Sequence, residues 1–279
     1  MLFGCDGSWC YNSWESHPMK EAFEAESTIE QWDADYYHPI ALRFYDRAIA
    51  DMLELMEVDA ASTVLDAGCG PGVHAIRVAK SGLRVCAIDI SEMMLAHARR
   101  RVEAAGIADK VTFCQQDLTK LDFPDNSFRF VFSWGVLIHI PDGEMALDEL
   151  SRIVEPGGSL ALYLSNKFSF DNRIESLARF LRRKPLADLH QVPLGDGCWY
   201  EMNGQKLWVC RVDPKALTEQ LAKRGFRLKH HRIGELSELQ RRLSGLPRRF
   251  LLHVNNVAYR LNLSPRFASG GLFVFKKGA

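Results

Sequence analysis

Short apolar runs and longer amphipathic runs alternate through the central part of the chain. The apolar runs are rich in β-branched and aromatic residues, and they lie at 63–65, 84–90, 111–114, 128–134 and 159–164. Segments with apolar residues at helical spacing follow most of them. Strands separated by helix-length segments predict a parallel sheet with right-handed crossovers and helices on both faces.

The first of these strands runs into a glycine-rich turn, VLDAGCGPG at residues 64–72. Glycine tolerates positive φ and lets a ligand approach the backbone, and the helix that follows begins with free N–H groups. No Gly-Lys-Ser/Thr follows, which excludes a P-loop, and Val73 stands where the dinucleotide pattern places its third glycine. A purely structural turn remains an alternative at this point.

An acidic residue at the end of the next strand favours a nucleotide site. Asp89 closes the second strand about 20 residues after the turn, where α/β nucleotide sites place a carboxylate for ribose hydroxyls. Ser91 then begins a helix. Asp117 follows the third strand in the same way, although a carboxylate there also suits a plain loop.

With these residues, the sequence resembles the class I S-adenosylmethionine (SAM) dependent methyltransferases, in their broad small-molecule group (methyltransferase type 11/25-like). The matching segments are VLDAGCGPG at 64–72, AIDIS at 87–91, QQD at 115–117, DNSFRFVFSWGVLIHIPD at 125–142 and IVEPGGSLAL at 153–162. The resemblance implies SAM as cofactor and S-adenosylhomocysteine as product. It also implies a Rossmann-like, seven-stranded, mostly parallel α/β sheet whose last strand is antiparallel.

The resemblance assigns cofactor roles residue by residue. It places Gly68, Gly70 and Gly72 under the methionine part of SAM, with Cys69 in the same turn. It gives Asp66 the amino group, Asp89 the ribose hydroxyls and Asp117 the adenine N6, with Gln116 beside it. The remaining expected contacts are Ile90, Met93 and Leu118 at the adenine and Ser133 and Trp134 at the sulfonium. Asp66 also suits a turn cap, and methionines are common gap-fillers in cores.

Around this core we expect three further parts. We expect residues 1–59 to form an N-terminal helical lid and residues 60–165 to form the SAM-binding core. Residues 166–212 predict a substrate cap, with a basic amphipathic helix and a hairpin turning at Asn203-Gly204. Residues 213–279 complete the fold, with a helical insertion at 235–263 that breaks at Gly245-Leu246-Pro247.

Candidate catalytic and substrate residues lie outside the cofactor motifs. His139 follows the fourth strand, at the carboxyl edge where ligands bind in open α/β sheets, and His38 lies near the predicted lid. Either histidine is a candidate general base. The aromatic and histidine side chains expected to contact substrate are Tyr36, Tyr37, His190, Tyr200 and Trp208, for which helix or hairpin packing is the alternative.

Composition narrows the function classes. The 279 residues carry 35 basic and 35 acidic side chains, so net charge does not point to nucleic acid. The charges are uneven, because residues 1–59 hold 13 acids and 3 bases while no acid follows Glu238. That basic end indicates either a solvated face or a rim for an anionic substrate or a membrane surface, so peripheral membrane contact is possible.

Seven cysteines without a C-x-x-C pair favour a reducing compartment, and we expect a cytoplasmic protein. No apolar run is long enough for a membrane span, and the first residues lack signal-peptide character. Spacing typical of metal ligands is missing. The sequence leaves the oligomeric state open between monomer and homodimer.

The expected reaction is methyl transfer to a small-molecule acceptor, with O-methylation of a natural-product or glycolipid-type hydroxyl as first choice. N-methylation of a small amine is one alternative, suggested by the acidic, aromatic N-terminus. A SAM-binding protein of this fold with a changed, non-methylating reaction is the other. No N/D-P-P-Y/F motif follows the fourth strand, which disfavours a nucleic-acid methylase.

Overall fold

The computed structural model describes residues 23–24, 38–183, 189–202 and 205–279. The expected contacts Tyr36 and Tyr37, the hairpin turn Asn203-Gly204, and residues 1–22 and 25–37 of the predicted lid lie outside the described residues. All statements below concern the part of the chain that the structure describes.

Seven strands form the main sheet. They are β1 (Thr63–Ala67), β2 (Arg84–Asp89), β3 (Val111–Gln115), β4 (Phe128–Trp134), β5 (Val154–Ser165), β9 (Phe226–Ile233) and β10 (Gly270–Lys277). Their order is β3-β2-β1-β4-β5-β10-β9. The first five are mutually parallel, and β10 runs antiparallel to both β5 and β9. The predicted seven-stranded sheet with an antiparallel last strand is therefore confirmed.

Seven α-helices surround the sheet. They are α1 (Pro39–Leu55), α2 (Val73–Lys80), α3 (Glu92–Ala104), α4 (Gly143–Ile153), α5 (Phe170–Leu181), α6 (Pro214–Lys223) and α7 (Gly245–Arg260). Several begin at polar caps that satisfy otherwise free N–H groups. Ser91 caps α3 through the N–H of Met94, and Asp142 caps α4 through the N–H of Met145.

Two apolar layers hold the helices against the sheet. One layer contains the buried stripe of α1 (Phe44, Ala48, Met52) with α2, α3 and α7. The other holds α4 and α6, with Leu147 and Leu217 fully buried. The central strands are covered by helices on both faces, so side chains on either side of the strand are buried. These strands therefore consist of almost continuous apolar residues.

Residues 190–212 form a second, three-stranded antiparallel sheet in the order β6-β7-β8. Its strands are β6 (His190–Val192), β7 (Gly195–Met202) and β8 (Gln205–Val212). The sheet is tied to the end of β5, because the N–H of Lys167 donates to the carbonyl of Val212 at 2.9 Å. The expected hairpin within the cap is present, with β6 as an additional strand.

Two local predictions need correction. The strand predicted from the apolar run at 159–164 starts earlier, because β5 begins at Val154 and its ladder with β4 breaks between the pairs Phe128–Val154 and Phe130–Ser159. A Cβ on Gly158 would lie 2.7 Å from the carbonyl oxygen of Arg129, so close strand approach requires this glycine. The break expected at Gly245-Leu246-Pro247 is the start of α7, since proline is tolerated in a first helical turn.

Candidate functional site

A cavity of about 590 Å³ opens at the carboxyl ends of β1, β2 and β4. The chain order of the strands reverses between β1 and β4, and ligands bind at this reversal in open α/β sheets. The cavity continues outward between the β7–β8 hairpin, the start of α5 and the 3-10 helix Leu239–Arg242. We refer to the first part as the cofactor end and to the second as the acceptor end.

The glycine turn forms one wall of the cofactor end. Gly68, Cys69 and Gly70 line the cavity, and both glycines have positive φ, 86° and 51°. A Cβ on Gly68 would lie 2.5 Å from the Val136 side chain, whereas a Cβ on Gly70 would meet no atom within 4 Å. The backbone at Gly70 is therefore open to a ligand.

Gly72 has a different task from the other two glycines. It is the N-cap of α2 with φ 81°, and it is absent from the cavity lining. A Cβ there would lie 2.9 Å from the Cβ of Ala98 on α3. This third glycine therefore permits close packing of two helices.

Asp89 lies across the turn from Gly70, with each carboxylate oxygen engaged by the backbone. Oδ2 accepts the N–H of Gly70 at 2.8 Å, and Oδ1 accepts the N–H of Ser91 at 2.9 Å. Burial raises the pKa of Asp89 to about 6, against the opposing effect of these two hydrogen bonds. Each oxygen keeps a lone pair for a further donor, such as a ribose hydroxyl.

The far side of the cofactor end is apolar with one acid. Ile90, Met94, Asp117 and Leu118 line it. Asp117 Oδ1 accepts from the backbone N–H and the hydroxyl of Thr119, at 2.8 and 2.7 Å. Met94 therefore takes the place expected for Met93, a shift of one residue in the phase of α3.

Three other predicted cofactor residues are buried behind the cavity. Ser133 donates its hydroxyl to the carbonyl of Ala67 at 2.8 Å, which joins β4 to β1. Gln116 accepts the N–H of Asp122 at 3.0 Å. Asp66 is buried, Oδ2 has no hydrogen-bond partner among the described residues, and burial raises the pKa of Asp66 well above its ordinary value.

Trp134 and Tyr163 form an aromatic pair that lines the cavity between its two ends. Their rings stack at 4.1 Å with an interplanar angle of 7°. Gly234 and Gly270 leave room for the Tyr163 ring, because a Cβ on either would lie within 2.5 Å of it. Tyr163 was missed in the sequence because it lies inside a continuous apolar strand. His74 joins this group, 4.8 Å from Trp134, and burial lowers the pKa of His74 well below its usual value.

His139 lines the cavity where the 3-10 helix Leu137–His139 meets the small sheet. Its Nδ1 lies 2.9 Å from the carbonyl oxygen of Trp208. A carbonyl only accepts, so Nδ1 carries the proton and Nε2 is the proton-accepting nitrogen. Burial lowers the pKa of His139, which favours the neutral ring.

The other predicted catalytic and substrate residues occupy varied positions. His38 is not in the cavity lining, and its Nδ1 accepts the N–H of Ile40 at 3.3 Å as the cap of α1. His190 is exposed and stacks on Trp208, whose ring is buried outside this cavity. Tyr200 lines the acceptor end, where its hydroxyl accepts from Arg211.

The acceptor end contains polar residues that the sequence did not single out. Arg211 pairs with Glu175 at 3.3 Å, and Arg241 pairs with the buried Glu235 at 3.1 Å. Burial raises the pKa of Glu235 to about 7, although Arg241 opposes that shift. The other polar lining residues of this kind are Ser165, Asn166, Ser169, Asp171, Asn172, Glu238, Arg242 and Ser269. They come from separated segments without a shared motif, which is why no local pattern could find them.

The described residues contain no group of three or more His, Cys, Asp or Glu side chains arranged to hold a metal ion. None of the described helices is long and apolar enough to cross a membrane.

Comparisons with known proteins agree with this geometry. A family model described as a methyltransferase domain matches residues 64–158. The 27-O-demethylrifamycin SV methyltransferase of Amycolatopsis mediterranei is 39% identical over 121 residues, which are 43% of this chain and 43% of that one. An S-adenosyl-L-methionine-dependent Diels-Alderase of Neonectria sp. is 33% identical over 155 residues, 55% of this chain and 59% of that one.

Among solved structures, the magnesium protoporphyrin IX methyltransferase of Synechocystis PCC 6803 with bound SAH superposes with a TM-score of 0.61. That match covers 92% of this chain and 98% of the other at 16% identity, and it concerns the fold. The sequence matches are shorter, and the chain spans less than half the length of the first curated relatives it matches.

The residues at the cofactor end fit SAM. Gly70 presents open backbone, Asp89 has free lone pairs for ribose hydroxyls, and Asp117 stands beside the apolar wall that would take the adenine. With the family model that matches residues 64–158, these features identify that part of the chain as a methyltransferase domain whose cofactor is SAM.

Proposed function

We propose that the protein transfers a methyl group from SAM to a hydroxyl of a small molecule, of natural-product or glycolipid type. The observation that carries the proposal is the half-buried imidazole of His139 in the cavity wall, held in its neutral form by the carbonyl of Trp208. A hydroxyl acceptor must lose its proton during transfer, and a neutral histidine is suited to take it.

Bound SAM supplies an activated methyl group on its sulfonium sulfur, so the protein's own work is positioning and proton removal. Asp89 and Asp117 would hold the nucleoside, and the glycine turn would run beside the methionine part. The stacked pair of Trp134 and Tyr163 would direct the sulfonium toward the acceptor end. His139 Nε2 would accept the hydroxyl proton.

The acceptor end supports a partly apolar substrate. Ile138, Ile140, Leu207 and Val209 contribute apolar surface, and Tyr200 and Arg211 offer polar contacts on the same hairpin as the last two. Cap strands β7 and β8 supply four of these side chains, which supports residues 166–212 as the substrate cap. The name of the 27-O-demethylrifamycin SV methyltransferase, which denotes an O-demethylated acceptor, also supports transfer to a hydroxyl.

Replacement of His139 tests the proposal. His139→Gln should lower the rate of methyl transfer to a hydroxyl acceptor by about 10²–10⁴-fold, the usual contribution of a general base. The affinity for SAM should stay within about twofold. His190→Gln is the matched control, because His190 is exposed and outside the cavity lining. Formation of S-adenosylhomocysteine with panels of phenols, sugar lipids and amines measures the rate.

The same panel decides between acceptor types. Turnover of amines alone, unaffected by His139→Gln, would contradict O-methylation and support the N-methyltransferase alternative. Turnover of hydroxyl acceptors that survives His139→Gln would remove the histidine from the mechanism.

A changed, non-methylating reaction is the second candidate. It is favoured by the similarity to a SAM-dependent Diels-Alderase over 155 residues, more of this chain than the rifamycin relative matches. Under this candidate, the protein binds SAM but forms no S-adenosylhomocysteine with any acceptor. Detectable turnover with one acceptor would exclude it as the main activity.

A further inference from the structure

Helix α5 packs with its polar side toward the protein and its apolar side outward. None of its twelve residues is buried. Its inner residues are Asp171, Asn172, Glu175, Ala178 and Arg179, all of intermediate exposure. The outer stripe follows helical spacing and consists of Phe170, Ile174, Leu177 and Leu181, with Phe180 beside it. An amphipathic helix in this orientation offers its apolar face to something outside the described chain.

The outer stripe is unusually exposed for large apolar side chains. Phe180 is 74% exposed, Leu181 70% and Leu177 58%. Burying such side chains is favourable by an amount roughly proportional to area, so leaving five together in water is costly. A docking surface is the usual reason for such a patch.

A second exposed stripe continues from the C-terminal side of the chain. On α7 and just after it, Leu246, Phe250, Val257 and Leu261 are 53% or more exposed. The start of α5 meets the segment that follows α7, because Phe170 contacts Phe267 of the 3-10 helix Pro265–Phe267 with ring centroids 5.0 Å apart. We call the exposed apolar residues of α5 and α7 together the outer face.

The charges around the outer face are positive. Exposed arginines accompany both helices, namely Arg173, Arg182, Arg183, Arg249, Arg260 and Arg266. The two acids of α5 face inward and are occupied. Asp171 accepts from Ser237 and Ser269 at 2.8 and 2.6 Å, and Glu175 pairs with Arg179 and Arg211. No Asp or Glu occurs after Glu238.

A groove next to α5 also combines apolar side chains with arginines. Ile174, Ala178 and Leu239 supply apolar walls, and Arg179, Arg182 and Arg242 bring positive charge. Glu175 also lines the groove and pairs with Arg179 at 3.1 Å and with Arg242 at 4.0 Å. Leu239 and Arg242 also line the acceptor end of the main cavity. The groove therefore combines apolar walls with a net positive charge, and it adjoins the site where the acceptor would bind.

We propose that the outer face docks the protein on a membrane surface that carries anionic phospholipids. Apolar side chains at helical spacing would enter the boundary between headgroups and acyl chains, while the surrounding arginines contact lipid phosphates. A protein partner would be expected to supply acids against particular arginines, whereas an apolar stripe accompanied by six exposed arginines suits an anionic lipid layer. The mode is peripheral, in keeping with the absence of a spanning helix among the described residues.

Vesicle co-sedimentation of the full chain tests this docking. We expect binding to vesicles of equal parts phosphatidylglycerol and phosphatidylcholine, and at least tenfold weaker binding to phosphatidylcholine alone. Added salt should weaken the binding, because exposed charges are screened. The assay needs neither SAM nor an acceptor, so its result is independent of the proposed methyl transfer.

Two variants locate the contact. Phe180→Ser with Leu181→Ser should reduce vesicle binding at least tenfold, and Arg182→Glu with Arg183→Glu should do so by a similar factor or more. The matched controls carry equivalent changes away from the outer face. They are Met145→Ser, at an exposed methionine of α4, and Lys223→Glu with Lys229→Glu near β9. Both controls should bind like the wild type.

Size-exclusion chromatography of the same proteins tests whether a second copy of the chain, instead of a membrane, binds to the outer face. A wild-type dimer that fails to bind vesicles, and becomes monomeric through Phe180→Ser with Leu181→Ser, would overturn the proposal in favour of self-association. A monomer that binds neither kind of vesicle would overturn the proposal, and it would indicate that another segment of the same chain packs on the outer face. Equal binding to both vesicle types would contradict the role of the arginines.

Discussion

Asp89 joins the glycine turn to the start of α3 through hydrogen bonds from Gly70 and Ser91. Its lone pairs remain directed toward the cavity that would hold the ribose. Asp89→Asn should weaken SAM binding roughly ten- to a hundredfold, because a hydrogen bond to a charged group is worth about 1.5–3 kcal/mol. Calorimetric titration measures the change, and Asp109→Asn, an exposed acid outside the cavity, is the control.

The same carboxylate predicts a pH dependence. Burial raises the pKa of Asp89 to about 6, so protonation favours the folded, ligand-free protein. This contribution to stability is complete below pH ~4 and disappears as the pH rises through about 6. SAM needs the ionised carboxylate, so its Kd should rise up to about tenfold per pH unit below 6. In Asp89→Asn this dependence should vanish, and its persistence there would assign it to another group.

At the residue scale, prediction from sequence works where a side chain follows a strand directly. Gly70, Asp89 and Asp117 each lie within two or three residues of a strand end, so local chain geometry places them in the cavity. Met93 shows where such prediction fails. It lies within a helix, where an error of one residue turns the side chain by about 100°, and Met94 lines the cavity instead. His38 was chosen for its residue type, and the structure shows it as a helix cap.

At the element scale, the junction of α2 and α3 depends on Gly72. Its φ is 81°, and a Cβ would lie 2.9 Å from that of Ala98. Gly72→Ala should destabilise the protein by about 2–3 kcal/mol, from backbone strain together with the clash. Gly82→Ala is the matched control, because Gly82 also has positive φ but meets no atom within 4 Å, so it should cost only about 1 kcal/mol.

Urea unfolding measures both variants. Equal losses of unfolding free energy in the two variants would show that the contact with Ala98 adds nothing to the cost of backbone strain at Gly72. A larger loss for Gly72→Ala would confirm that the third glycine of the turn serves packing.

The elements of the core were predictable, whereas their insertions were only partly so. Periodicity gave the strands and most helices, because each core element buries an apolar face of its own. Helix α5 was expected as amphipathic, yet its apolar stripe faces outward. Hydrophobic spacing reveals that a face exists but not which neighbour it meets, so the orientation required the tertiary structure.

At the scale of the whole molecule, the two ends of the cavity differ in origin. The cofactor end is built by consecutive βα units, and its motifs could be found along the chain. The acceptor end brings together Tyr163, Arg211 and Arg241 from three distant segments. Their proximity depends on how the small sheet and residues 234–242 pack on the core, which no single stretch of sequence encodes.

Binding of SAM is the central claim, and isothermal titration of the full chain, freed of copurified ligand, tests it most directly. The structure predicts that SAM and S-adenosylhomocysteine both bind to one site with micromolar Kd, and that Asp89→Asn weakens both. Absence of binding for both ligands at millimolar concentration, with the protein folded, would contradict the assignment of the cavity as a SAM site.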